Sequence, residues 1–135
     1  MDVQGLSSIP LFSSLSEDAQ RKLAFWVSEL SVSEGKHLVE EGDYAYDLFF
    51  IQDGIAEVQH DGRTVAELGP GEFFGELSLL VDDAPRSARV RTVTPVLCLA
   101  IGRAEFEELL ENEPTVALTM LRTLAMRFVA EIDRP

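Results

Sequence analysis

Gly75, Glu76, Arg86 and Ser87 are the residues whose types and spacing suit chemistry, within the run Gly69-Pro70-Gly71-Glu72-Phe73-Phe74-Gly75-Glu76-Leu77 that continues to Ala84-Pro85-Arg86-Ser87-Ala88-Arg89-Val90. A tight glycine turn ahead of a one- or two-turn helical piece, expected over Glu76 to Leu80, leaves backbone N–H groups free at a helix N-terminus, where an anion is favoured. Arg86 adds a planar cation that matches a phosphate, and Ser87 adds a hydroxyl donor beside it. The Glu76 carboxylate can accept hydrogen bonds from vicinal or ribose-type hydroxyls. Together these groups describe a pocket for a phosphorylated sugar or nucleotide. The same residues also suit a plain loop in which Glu and Arg form a structural ion pair. On chemistry alone both readings stand.

Other chemistries find little support. A metal-dependent β-barrel enzyme wants a His-x-His pair and a third ligand. The chain has only His37 and His60, far apart in sequence, so no metal site is expected. There is no P-loop, and Gly69-Pro70-Gly71-Glu72-Phe73-Phe74-Gly75 misses the dinucleotide glycine spacing by one residue. Serines and threonines have no histidine partner suggestive of nucleophilic catalysis. The single cysteine, Cys98, excludes an internal disulfide and sits in the apolar run Val96 to Ala100, which reads as a buried, inert thiol. No catalytic site is found, so the chain is not read as an enzyme. Eleven basic against twenty-four acidic residues give a net charge of −13, which argues against a nucleic-acid partner. That balance still permits one small anionic ligand in a local positive site. No run approaches a membrane span and no signal peptide opens the chain, so a cytoplasmic protein with no membrane partner is expected. At 135 residues it is one domain, whole or cut from a longer protein.

Three zones must position these residues. From Ser16 to about Leu30 the period is helical, with Leu23, Val27 and Leu30 on one side and Trp26 filling core. Ser16 suits an N-cap, and Glu17 and Asp18 complement the helix dipole. Ile9-Pro10-Leu11-Phe12 forms an apolar lead-in. From about His37 to Ile101, glycines punctuate short apolar runs: Leu48 to Ile51, Ile55 to Val58, Val65 to Leu68, Ala88 to Val93 and Val96 to Ile101. Asp53-Gly54 and Asp61-Gly62 are turn dipeptides between such runs. This spacing predicts an all-β barrel, roll or jelly-roll sandwich. From Arg103 the helical period returns, with Phe106, Leu109 and Leu110 in a short helix and Pro114 opening a second. Ala117, Leu121, Leu124, Phe128 and Ile132 then form an apolar stripe. Such a stripe serves packing on the chain's own β domain and pairing with a second copy equally.

The run Gly69 to Val90 resembles the phosphate-binding cassette of the cyclic nucleotide-binding domain family, which includes the bacterial catabolite activator protein and the regulatory subunits of the cyclic-AMP-dependent kinase. The resemblance extends to the lead-in Ile9 to Ala24, the hairpin Leu48 to Val58 and the long final helix. Its specific part is Gly75-Glu76-Leu77-Ser78-Leu79 followed by Arg86-Ser87-Ala88. It implies a mostly β fold with flanking helices: a double-stranded β-helix, or jelly-roll-like β-roll, with an N-terminal helix and a long C-terminal helix. One domain over 1–135 is expected, with an N-terminal helical segment over 1–34, the β-roll over 35–102 carrying the cassette over 75–90, and C-terminal helices over 103–135. Carried over by position, Arg86 would pair with the exocyclic oxygens of a cyclic phosphate, with Ser87 and Ala88 completing the cradle. Glu76 would hold the ribose 2′-hydroxyl, with the backbone at Gly75 and Leu77 lining the sugar.

Base contacts would come from Val58 and Val65 on the β-roll and from Arg127, which matches an arginine of the activator. The activator's base-capping Thr-Ser pair is replaced here by Glu131-Ile132. The implied ligand is cyclic AMP, with cyclic GMP left open because Ser87 fits both patterns; no prosthetic group is implied. Ligand would act by population shift, with the final helix repacking against the β-roll. A twofold homodimer along that helix is expected, its rival being a helix folded back over its own domain. Activator-type regulators continue into a helix-turn-helix domain where this chain stops, which fits either a stand-alone sensor or an excised domain.

Overall fold

Burial in the strand Asp47–Asp53 explains the architecture, because its two sides enter two different cores. In the computed structural model, which describes residues 5–6, 9–39, 47–75 and 89–132, Phe49 and Ile51 point to one core while Leu48 and Phe50 point to the other. The strands are β1 (Ser28–Val32), β2 (His37–Val39), β3 (Asp47–Asp53), β4 (Ala56–His60), β5 (Arg63–Leu68), β6 (Phe73–Phe74), β7 (Arg89–Thr92) and β8 (Val96–Gly102). They form two antiparallel sheets, ordered β1-β8-β3-β6 and β2-β7-β4-β5. This is the expected β-roll with flanking helices.

Between the sheets lie Phe49, Ile51, Ala56, Leu68, Phe74, Val90, Val96, Cys98 and Ala100. The other face of the first sheet, through Leu48, Phe50, Phe73, Leu99 and Ile101, packs on helical residues including Leu11, Phe12, Leu23, Phe106, Val116 and Met120. A strand buried on both faces reads as a continuous apolar run, and Leu48 to Ile51 is one.

The first helix, α1 (Glu17–Trp26), starts where expected: the Ser16 hydroxyl accepts a hydrogen bond from the Ala19 N–H at 3.2 Å. It stops sooner than the pattern predicts. Val27 is extended at φ −86° and ψ 145°, and Ser28–Val32 pairs with Val96–Ala100 as β1. Leu30 is therefore a strand residue, and the β-roll begins inside the segment expected to be helical over 1–34. A spacing of three and four residues does not distinguish one more helical turn from an edge strand, and a five-residue ladder with β8 decides for the strand. Trp26 is half-buried against the helical core, whereas its neighbour Phe25 is 91% exposed. The C-terminal helices are α2 (Arg103–Asn112) and α3 (Pro114–Ile132), with Pro114 as the first residue of α3 as expected.

The run Leu48 to Val58, expected as a hairpin, instead crosses between the sheets at Gly54, since β3 and β4 pair with other strands. Of the two turn dipeptides, only Asp61-Gly62 turns a true hairpin, between β4 and β5. These two turn glycines separate backbone strain from steric overlap. Asp61 and Gly62 both have positive φ, 52° and 77°, as a tight two-residue hairpin turn requires. A Cβ on Gly62 would meet nothing within 4 Å, whereas one on Gly54 (φ 93°) would lie 2.2 Å from the Pro95 carbonyl oxygen. Gly62→Ala should thus lose about 1–2 kcal/mol from left-handed strain alone. Gly54→Ala should lose about 2–5 kcal/mol, because overlap with backbone is added to the strain. Urea denaturation of the two variants measures this, and equal losses would contradict the close approach seen at Gly54.

Candidate functional site

The residues singled out by sequence fall on β4, β5, the end of β6 and α3. Val58 on β4 is half-buried against the inter-sheet core and faces Ala66 on β5 and Val90 on β7 across the ladders. Val65, on β5, is half-buried. Both belong to the sheet that also receives the chain through β7 at Arg89. Gly75 follows β6 directly and has φ +97°, so a side chain there would be strained. Glu76, Leu77, Arg86, Ser87 and Ala88, and with them the helical piece expected over Glu76 to Leu80, lie outside the described residues. The described structure therefore fixes the two ends of that segment. It leaves from β6, at the edge of the first sheet beside β3, and re-enters at β7, between β2 and β4 of the second.

Arg127 stands apart from the rest of α3. Its Nη2 donates a 2.7 Å hydrogen bond to the Phe73 carbonyl oxygen, and its guanidinium carbon sits 4.4 Å from the centroid of the Phe73 ring. The planar cation thus uses both an in-plane N–H and its face on one residue. This contact brings the arginine expected near a base to within two residues of Gly75. Nothing in the sequence marks Phe73 as the partner. The one available signal is an arginine one turn beyond Leu124, on the side of α3 that Val116 and Met120 bury.

The remaining candidates behave as ordinary structural residues. Cys98 is fully buried, and burial pushes its thiol up to about 11, which keeps it protonated and unreactive at neutral pH. His60 is exposed and pairs with Asp61 at 3.3 Å. Among the described residues, no group of His, Cys, Asp and Glu side chains is placed to hold a metal ion. No helix among the described residues is long and apolar enough to cross a membrane.

The long helix carries its apolar residues on two sides. Val116 and Met120 are buried and Leu124 packs against the core, so this row seats α3 on the body. Leu118, Leu121, Phe128 and Ile132 are exposed, as is Ala125 between them. The single stripe expected from sequence (Ala117, Leu121, Leu124, Phe128, Ile132) mixes the two rows: Leu124 belongs to the inward one and Leu121, Phe128 and Ile132 to the outward one. Leu118, Leu121, Ala125, Phe128 and Ile132 recur at three, four, three and four residues, the spacing of a coiled-coil seam.

Comparison with known proteins places this arrangement. Residues 29–113 match the family described as the cyclic nucleotide-binding domain. A cAMP-dependent protein kinase regulatory subunit of Debaryomyces hansenii is 35% identical over 106 residues, 78% of this chain and 23% of that protein. The catabolite activator protein of Thermus thermophilus superposes with a TM-score of 0.77 at 32% identity, covering 90% of this chain and 59% of that one. The regulatory domain of Toxoplasma gondii PKA, solved in co-crystals with cAMP, gives a TM-score of 0.69 at 32% identity, covering 79% of this chain and 42% of that one. The chain spans about a quarter of the length of the curated kinase subunits it matches.

Proposed function

Because the chain belongs to the cyclic nucleotide-binding domain family, we propose that it is a non-catalytic cytoplasmic sensor that binds cyclic AMP and reports occupancy through α3. The observation that carries this reading is that the run Gly75-Glu76-Leu77-Ser78-Leu79 followed by Arg86-Ser87-Ala88, which resembles the family's cassette, lies within the matched span 29–113. Arg86 and Ser87 take the cyclic phosphate, and Glu76 takes the ribose hydroxyl. Val58 and Val65 offer apolar surface to the base. Cyclic GMP presents the same phosphate and ribose, so selectivity between the two rests on the base contacts. The kinase subunit and the co-crystallised domain among the relatives, both named for cAMP, support the adenine form.

Occupancy shifts the population of α3 positions relative to the β-roll, and differential affinity for those positions is what drives the shift. A second copy of the chain is the assembly partner, joined along the outward seam of α3. Titration calorimetry with each nucleotide tests the ligand. Binding is expected to release heat with cyclic AMP, and ligand at one hundred times Kd should stabilise the fold by about 2.7 kcal/mol. The absence of both heat and a melting shift with either nucleotide would leave a ligand-independent interaction domain of the same fold.

A further inference from the structure

Among the described strands β6 pairs with β3 alone, at the edge of its sheet, so its other side presents backbone groups away from β3. Arg127 engages it there, through the 2.7 Å hydrogen bond to the Phe73 carbonyl and the stacking of its guanidinium on the Phe73 ring. The contact is anchored in depth. The Phe73 ring lies 5.8 Å from that of Phe50, and Phe50 lies 4.7 Å from Phe12, centroid to centroid, so the cation ends a row of rings running through the core. Among the described side chains it is also the last inward hold of the helix. Beyond Leu124, the described side chains of Ala125, Met126, Phe128, Val129, Ala130 and Ile132 are exposed, and Arg127 alone among them is half-buried.

We infer that Arg127 is a positioning residue, a clasp that ties the distal part of α3 to the backbone two residues ahead of Gly75, so that ligand occupancy and helix position bias one another through the Phe73 carbonyl. This rests on the cyclic nucleotide reading for its ligand, while the clasp itself rests on the contacts above. A hydrogen bond tolerates little change in distance or angle, so a displacement of the strand entering Gly75 is felt at Arg127. The reverse holds equally, because coupling between two sites is reciprocal. Phe128 and Ile132, the last two residues of the outward seam, lie beyond this hold, so the clasp also sets where the helix presents them.

The test is amide hydrogen exchange on the full chain, with and without cyclic AMP, read beside calorimetry for wild type, Arg127→Met and Arg127→Lys. Without ligand, Arg127→Met is expected to speed exchange both in α3 beyond Leu121 and in residues 72–75, leaving α2 unchanged. With ligand, wild type should gain protection in distal α3 that Arg127→Met loses, and affinity should fall about tenfold. Arg127→Lys keeps the charge and N–H donors but loses the planar guanidinium, so it should recover part of both effects, and it carries the same comparison if Arg127→Met does not fold. Faster exchange confined to α3 would overturn the clasp. So would an affinity loss with unchanged ligand-free exchange at residues 72–75, since that is the mark of a direct ligand contact. If wild type binds no cyclic nucleotide, the ligand reading fails, and the ligand-free exchange still decides the clasp on its own.

Discussion

Arg86→Ala is expected to weaken cyclic nucleotide binding by about ten- to a hundredfold, the loss that goes with removing a charge-assisted phosphate contact. Arg86→Lys should recover only part of it, because an ammonium cannot make the two-pronged contact of a guanidinium. Calorimetry measures both, and an Arg86→Ala variant that binds as tightly as wild type would refute the cassette assignment. Glu76 supplies an internal control. Glu76→Gln should weaken binding of cyclic AMP, and the 2′-deoxy nucleotide should show a similar loss with wild-type protein. If Glu76 acts through the 2′-hydroxyl, the two losses do not add, which is how a shared contact shows itself in a double cycle. A full additional loss with the deoxy ligand would assign Glu76 another role.

The sequence exposes the β-roll and its residue-level details unequally. Leu48 to Ile51 and Val96 to Ile101 are legible because continuous apolar runs of that length, bounded by turn residues, become strands buried on both faces. Asp61-Gly62 is legible because few residues besides Gly, Asn and Asp accept two successive positive φ values. The end of α1 is not legible: Val27 and Leu30 both satisfy a helical period, yet Val27 caps the helix in an extended conformation and pairing with β8 draws Leu30 into an edge strand. Thr92 is invisible for a similar reason. Fully buried, its hydroxyl donates to the Ser33 carbonyl at 2.7 Å and accepts from the Lys36 N–H at 2.9 Å, shaping the β1–β2 connection from a distant strand. For the candidate site, the run Gly75 to Ala88 offers a resemblance that rests on local residue identities and spacing alone. The Arg127–Phe73 clasp could not be read from the sequence, since it joins positions 54 residues apart through a backbone carbonyl that every residue possesses.

The double substitution Leu121→Glu, Phe128→Glu is expected to convert a dimer into a monomer while leaving the fold intact. These side chains are 64% and 66% exposed in the single chain, so neither supports its own core. Leu124 would be a poor choice, because it packs on that core and its loss confounds folding with assembly. Each large apolar side chain along the seam contributes roughly 1.5–3 kcal/mol when buried, against an association entropy of about 4–15 kcal/mol, so four such residues from each copy leave a net drive to pair. Charge works the other way, since each chain carries a net −13. The opposition is weakest along α3 as a whole: Pro114–Ile132 holds Arg122 and Arg127 against the single acid Glu131. Salt screens the repulsion between the more distant acidic surfaces, so association should strengthen from low to moderate ionic strength. Sedimentation equilibrium of wild type and the double variant, over a range of concentration and salt, reads the outcome. A wild type that stays monomeric at high concentration and high salt would show that the outward row of α3 does not join two copies, and the dimer would fall.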